Sequence, residues 1–192
     1  MRLMMTLAGV AACAVFTIAA AAPAEYAIDA DHTFPSFEAD HMGISVWRGK
    51  LNKSSGKVML DKEGGAGTVD LTMDLSSIDF GHDTLNKWAV GPDFFDVSKY
   101  PTATYKGRLE GFRNGAPSRV VGELTLHGVT KPVTLQINLF KCIPHPIEKR
   151  DYCGADAVAT FKRDEFGLPI GKEYGFSMDV NLRIQVEALR SP

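Results

Sequence analysis

The sequence predicts an all-β protein whose long antiparallel strands form a sandwich or a barrel. Apolar and polar side chains alternate with a period of two over several stretches, which is typical of antiparallel strands with one buried face. Turn-forming residues separate these stretches. Several stretches exceed the roughly five to six residues of a common strand. This length favours a tall barrel of tilted strands.

The N-terminal residues 1–24 are predicted to be a cleaved secretory signal peptide. Arg2 is followed by a long apolar run without charge until Glu25, and the Ala-Pro-Ala sequence at 22–24 matches the small-residue rule for cleavage before Glu25. A lipid anchor at Cys13 is the alternative, because Val-Ala-Ala-Cys at 10–13 resembles a bacterial lipobox. The remaining residues 25–192 are of a length expected for one domain.

Four alternating stretches define the clearest predicted strands. Turn signals at 62–67, 114–117 and 128–132 fall between them. Their apolar positions are Val69, Leu71, Met73 and Leu75; Leu124 and Leu126; Val133, Leu135, Ile137 and Leu139; and Phe176, Met178, Val180, Leu182, Ile184 and Val186.

Two insertions interrupt the strand pattern. In 81–96, Asp83 suits the cap of a short helix that ends before Gly91 and Pro92. A second turn covers 164–169. Either these insertions close an open barrel end or they fill the core, and the pattern leaves both open. Their large apolar side chains are Trp88, Phe94, Phe95, Phe166 and Leu168.

Cys142 and Cys153 are predicted to form a disulfide. The segment between them carries two prolines and four consecutive charged residues, which is typical of a surface loop. An exported protein meets an oxidising compartment. A redox role is less favoured because there is no C-x-x-C spacing.

Neither the charge nor the motifs indicate nucleic-acid binding or catalysis. The formal net charge of −2 provides no basic field for nucleic acid. A nucleophile elbow and a P-loop are absent from the sequence. The five histidines are scattered rather than grouped as metal ligands. We therefore predict no catalytic residue, metal or cofactor.

Motifs in four separate parts of the chain carry a resemblance to a known family. Together they extend from Tyr26 to about Ala188. They are Tyr26-Ala27-Ile28-Asp29 with Asp31-His32-Thr33, Phe37, His41-Met42-Gly43-Ile44-Ser45 and Gly49; Pro92-Asp93-Phe94-Phe95-Asp96-Val97 with Tyr100-Pro101-Thr102-Ala103; the hairpin from Gly122 to Val133; and Phe161, Arg163, Phe166 and Gly167. In this order they resemble the YceI-like proteins, a polyisoprenoid-binding and lipocalin-like family. The chain departs from that pattern at Thr33, at 86–91 and in the cysteine loop.

The resemblance implies an extended eight-stranded antiparallel β-barrel with one or two short helical insertions near its mouth. It implies a periplasmic, non-enzymatic protein that holds a polyisoprenoid or isoprenoid quinone in an apolar cavity for transport, storage or sensing. The implied partners are a long-chain isoprenoid or other amphiphilic lipid, and a membrane or membrane protein for lipid exchange. The sequence leaves monomer and homodimer both open.

Inward-facing apolar residues are the candidates for the cavity wall. They are Phe37, Val46, Leu71, Met73, Tyr105, Leu124, Leu126, Leu135, Ile137, Phe161, Phe176, Met178, Val180 and Leu182. His41, Trp88 and Arg163 are candidates for a polar mouth that meets a head group. Two alternatives remain: a stress-response interaction module with a solid core, and an enzyme acting on a bound lipid.

Overall fold

A computed structural model describes residues 22–192, which form a closed eight-stranded antiparallel barrel. The predicted cleavage site before Glu25 falls within the first strand, and residues 1–21 of the predicted signal peptide, including Cys13, lie outside the described residues. The strands are β1 (Ala24–Ile28), β2 (Phe34–His41), β3 (Ser45–Leu51), β4 (Ser54–Asp61), β5 (Ala66–Asp74), β6 (Ile78–Asp79), β7 (Thr102–Glu110), β8 (Arg119–Leu126), β9 (Val129–Pro144), β10 (Asp151–Lys162) and β11 (Asp179–Arg190). The α-helix is α1 (Asp83–Ala89), and three short 3-10 helices cover Leu75–Ser77, Arg163–Phe166 and Lys172–Tyr174.

The eight-stranded barrel contains eleven strand segments, because three of its eight strands are interrupted and each consists of two segments. β1 and β2 follow one another along β11, with Ile28 opposite Ala188 and Phe34 opposite Gln185. β3 and β4 lie along that pair, and β6 and β5 lie along β3 and β4 in turn. Strands β7 to β11 complete the meander, and the β1–β11 pairing closes it. The eight-stranded barrel implied by the resemblance is confirmed.

The last strand starts three residues later than the alternation from Phe176 predicts. Strand β11 begins at Asp179. Before it, the Lys172–Tyr174 3-10 helix ends at Gly175, which has a left-handed φ of 82°. This geometry takes the chain out of an extended path. The Met178 carbonyl instead accepts a hydrogen bond of 2.8 Å from the Arg163 backbone N–H.

The predicted helical insertion is present, with its cap one residue earlier. His82, not Asp83, is the N-cap residue, and its Nδ1 accepts a 3.4 Å hydrogen bond from the Leu85 N–H. Asp83 lies in the first turn, where a carboxylate favours the helix dipole. The helix ends at Ala89, just before Gly91 and Pro92, as the sequence predicts.

Cys142 and Cys153 form the predicted disulfide. They are direct partners on β9 and β10, with their Cα atoms 4.0 Å apart. The strands continue beyond the cysteines to Pro144 and Asp151. The bridge therefore fastens the end of a hairpin rather than the base of a long loop.

The barrel interior is solid at the end that carries the disulfide. Buried side chains from opposite strands fill it. Gly107 and Gly122 face one another on β7 and β8, and a Cβ atom at Gly122 would lie 2.8 Å from the Tyr105 ring. Glycine at this position therefore gives the Tyr105 ring room to lie across the interior. The residues of the filled end include Tyr26, Leu60, Leu109, Val120, Cys153, Ala157 and Ala188.

Candidate functional site

The other half of the barrel encloses an elongated cavity of about 390 Å³. On β11 its wall runs from Val180 through Leu182 and Ile184 to Val186. At about 3.4 Å per residue this wall is roughly 20 Å long. The space is therefore a slender channel. An eight-stranded barrel has room for one such ligand.

Tyr105 and Thr33 lie where the cavity meets the filled end, and their polar atoms are paired. The Tyr105 hydroxyl lies 2.8 Å from the Val133 carbonyl, to which it donates. Burial raises the pKa of Tyr105, so the phenol is neutral in ordinary buffers. The Thr33 hydroxyl donates to the Glu187 carbonyl at 3.2 Å and accepts from the Glu187 N–H at 3.1 Å. The floor thus presents no unpaired charge to a ligand.

The two insertions line the mouth end of the cavity. Trp88 stacks on Phe94 with ring centroids 5.0 Å apart, and Phe94 meets Phe95 at 4.7 Å. These three side chains and Leu168 line the cavity. Phe166 differs from them because it does not line the cavity; its buried ring meets Phe161 edge to face. The insertions therefore form part of the cavity wall and also contribute to the core.

Most of the wall residues proposed from the sequence do line the cavity. Those that do are Phe37, Leu71, Met73, Tyr105, Leu124, Leu126, Leu135, Phe161, Phe176, Val180 and Leu182. Val46, Ile137 and Met178 do not line it.

The register of the strands explains the placement of Val46. On β3, Trp47 and Leu51 face the cavity, so Val46 points outward and is 47% exposed. The expectation that Val46 faces inward is wrong because Ala39 pairs with Trp47 and fixes the opposite parity.

Ile137 and Met178 are both removed from the cavity by local irregularities. Ile137 lies opposite Ala157, next to a register shift between β9 and β10, and packs against the filled core. Met178 is buried, but it belongs to the irregular segment before β11.

Two of the three proposed mouth residues lie on the cavity wall. Trp88 and Arg163 line it. His41 does not line it: its ring stacks on Trp47 at 4.3 Å and meets the edge of Phe176 at 5.0 Å. His41 therefore supports two aromatic wall residues from behind.

Sequence reasoning missed much of the remaining wall. Ile184 and Val186 on β11, Val133 on β9 and Leu75 after β5 continue alternations that the sequence shows, and they could have been found from them. Phe94, Phe95 and Leu168 lie in the two insertions, for which the sequence left open whether they close the barrel end or fill the core. The other wall residues lie in loops or on strands without a clear alternation. The additional wall residues include Thr33, Pro35, Ala39, Asp40, Trp47, Leu51, Leu75, Ile78, Phe80, Phe94, Phe95, Ala103, Val133, Leu168, Ile170, Tyr174, Ile184 and Val186.

Two ionisable side chains at the mouth end have contrasting environments. The Asp40 carboxylate accepts from the Gly43 N–H at 2.9 Å and from the Ser177 N–H at 3.2 Å. Arg163 is 8% exposed, and its Nη1 donates to the Leu168 carbonyl at 2.7 Å. Burial lowers the pKa of the Arg163 guanidinium, against the opposing effect of Asp164.

Away from the cavity, Cys142, Asp151 and Cys153 place three metal-type donor atoms close together. The disulfide already consumes both sulfur atoms, so this group is not a metal centre. The helices within 22–192 are all too short or too polar to cross a bilayer.

The chain is similar in sequence to bacterial proteins over most of its length. The YceI-like domain family matches residues 26–188. A UPF0312 protein of Pseudomonas aeruginosa is 35% identical over 180 residues, which cover 92% of this chain and 93% of the relative. A UPF0312 protein of Yersinia pestis is 38% identical over 128 residues, or 65% of this chain and 66% of the relative.

Solved structures share the fold at low sequence identity. Burkholderia cenocepacia BcnA superposes with a TM-score of 0.67 at 22% identity, covering 84% of this chain and 99% of BcnA. The Campylobacter jejuni YCEI protein gives a TM-score of 0.67 at 24% identity, covering 80% and 90%. A polyisoprenoid binding domain from Saccharophagus degradans gives 0.63 at 18% identity, covering 86% and 98%.

Proposed function

The chain belongs to the YceI-like family, and from this membership we propose that its cavity holds one polyisoprenoid or isoprenoid-quinone chain. The observation that carries the proposal is the apolar channel in the mouth half of the barrel. A fold neighbour described as a polyisoprenoid binding domain agrees with it.

The hydrophobic effect alone supplies enough driving force for such a ligand. Removing one methylene from water contributes about 0.8 kcal/mol, so an isoprene unit of five carbons contributes up to about 4 kcal/mol. Two enclosed units bring about 8 kcal/mol, which corresponds to roughly micromolar affinity before the costs of ordering the chain. A wall that is apolar over most of its length therefore suffices for binding.

Binding is favoured over the two alternatives by the character of the wall. A solid-core module needs a filled interior, and only the disulfide end of this barrel is filled. An enzyme acting on a lipid needs a free acid or base beside it. His41, the candidate base, lies behind Trp47. Asp40 does line the cavity, but both of its carboxylate oxygens accept backbone N–H groups. We therefore propose a carrier, store or sensor of the lipid rather than a catalyst.

The predicted signal peptide supports a periplasmic location for this binding. Lipid exchange would then take place where the mouth meets a membrane. The hairpin between β2 and β3 exposes the apolar side chains Met42, Ile44 and Val46 beside the mouth. Such exposed apolar groups are typical of a surface that contacts lipid or another protein.

A plug in the cavity tests the proposal. Ala103 is buried and lines the cavity, so Ala103→Phe places a ring in the channel. Leu139→Phe is the control, because Leu139 is 63% exposed on β9 and does not line the cavity. Both tryptophans of the chain, Trp47 and Trp88, line the cavity, and their fluorescence reports ligand entry.

The titrant is geranylgeraniol, added to lipid-free protein. We expect saturable binding to the wild type and to Leu139→Phe, and at least about tenfold weaker binding to Ala103→Phe. Equal affinity of all three proteins, or binding by none of them, would contradict the proposal. Circular dichroism shows whether each variant is folded.

A further inference from the structure

Arg163 is a buried cation on the wall of a largely apolar cavity. The 3-10 helix Arg163–Phe166 places it at the mouth end, between β10 and the start of β11. Its side chain is 8% exposed. Removing a guanidinium from water is costly unless an anion or several acceptors replace the lost hydration.

The protein replaces only part of that hydration. A guanidinium offers five N–H donors. Within residues 22–192, its hydrogen bond is the one from Nη1 to the Leu168 carbonyl, and no ion pair includes Arg163.

Asp164 and Asp40 are two carboxylates at this end of the barrel, and neither forms an ion pair with Arg163 in the described chain. Asp164 Oδ2 accepts from the Lys172 ammonium at 2.6 Å, whereas Asp164 Oδ1 is buried without a hydrogen-bond partner among the described residues. Asp40 also lines the cavity, and both of its oxygens accept backbone N–H groups. No ion pair within residues 22–192 joins Arg163 to either carboxylate, so both carboxylates lie more than 4.0 Å from the guanidinium nitrogens. The guanidinium therefore has N–H donors without partners in the described chain, and it lies on the wall that a bound ligand would contact.

We propose that the bound lipid carries an ionised oxyacid head group, a phosphate or a carboxylate, and that Arg163 holds this group inside the mouth. The inference rests on the proposed function and adds the chemical class and orientation of the ligand. Planar guanidinium groups match the oxygen pairs of carboxylate and phosphate. The prenyl chain then extends from Arg163 towards Tyr105 and Thr33 at the floor.

Three probes of similar chain length separate the head-group classes. Geranylgeraniol is neutral, geranylgeranyl monophosphate carries a phosphate, and oleate carries a carboxylate. Each is titrated into lipid-free protein with fluorescence of Trp47 and Trp88 as the readout. The variants are Arg163→Met, which keeps the aliphatic stem, and Arg163→Lys, which keeps the charge. Arg183→Met is the control, because Arg183 lies on the exposed face of β11, where it pairs with Glu38 of β2, and does not line the cavity.

The wild type and Arg183→Met are expected to bind at least one acid about tenfold or more tightly than the alcohol. Arg163→Met is expected to bind the alcohol as before and to lose this preference, and Arg163→Lys to keep part of it. The preferred acid identifies the head group as phosphate or carboxylate.

Equal affinity of the wild type for all three probes would overturn the inference while leaving the proposed function intact. A preference for acid that survives in Arg163→Met would also overturn it. Failure of every probe to bind would contradict the proposed function itself. If Arg163→Met does not fold, the affinities of the wild type and Arg163→Lys for the acids and the alcohol test the inference: a preference for acid that is equal in both proteins would overturn it.

Discussion

The division of the barrel into a filled end and a hollow end predicts that two equally buried leucines differ in their contribution to stability. Leu109 and Leu124 lie on the neighbouring strands β7 and β8, and each is 8% exposed. Leu109 packs in the filled end, where its Cδ1 atom lies 2.7 Å from the position of a Cβ atom built on Gly67. Leu124 faces the cavity.

The expected loss of stability follows from what each side chain touches. Truncating either leucine to alanine removes about three methylene equivalents, or roughly 2.4 kcal/mol of transfer free energy. At Leu109 the truncation also opens a new void, which raises the total to about 4 kcal/mol. At Leu124 one side already faces empty space, so fewer contacts are lost and the cost is about 2 kcal/mol.

Chemical denaturation of the lipid-free variants, followed by circular dichroism, measures both free energies of unfolding. Leu109→Ala is expected to destabilise the protein by about 2 kcal/mol more than Leu124→Ala. Leu109→Ala is also expected to leave the affinity for geranylgeraniol unchanged in the folded protein. Equal losses, or a larger loss at Leu124, would mean that the mouth half of the barrel is packed and not hollow.

Three further perturbations test other parts of the structure. Replacing Cys142 and Cys153 together by serine is expected to lower the free energy of unfolding by up to about 3 kcal/mol in thermal or urea unfolding. Because the bridge lies at the filled end, lipid affinity is expected to stay unchanged below the melting temperature. A change in that affinity would contradict this placement of the bridge. Tyr105→Phe removes the hydroxyl that bonds the Val133 carbonyl, so urea unfolding is expected to show a loss of about 1 kcal/mol, and no loss would indicate that this bond is not formed. The hydrogen bond from Arg48, with a smaller one from Arg183, holds the pKa of Glu38 below its usual value of 4.5 against the effect of burial. The ion pairs therefore stabilise the fold above the usual glutamate range, and this stabilisation is lost as the pH falls through the lowered pKa. Glu38→Gln is expected to flatten the acid side of the curve of unfolding free energy against pH, and an unchanged acid side would refute this role.

Periodicity predicted the strands because side chains alternate between the two faces of a strand, and this alternation is visible in the sequence alone. The run from Val180 to Val186 alternates strictly, and its apolar members do line the cavity. The same rule failed at Val46, where both it and the next residue, Trp47, are apolar. Only the pairing of β3 with β2 decides which of the two faces inward, and that pairing is a long-range property.

The boundary between the filled and hollow ends could not be predicted for a related reason. Leu109 and Leu124 carry the same polarity signal and are both buried, yet only Leu124 lines the cavity. The difference depends on where the Tyr105 ring lies, which depends in turn on Gly122 in the neighbouring strand. Alternation specifies which face is buried, whereas the fit of side chains across the barrel determines whether space remains.

Native mass spectrometry of the protein, purified from its own cells without detergent, shows whether the cavity carries a lipid. We expect one bound lipid per chain, which on extraction proves to be a prenyl compound and which is absent from Ala103→Phe. A uniform apo mass for the wild type, together with no uptake of added geranylgeraniol, would contradict the claim that the apolar channel is a lipid-binding site.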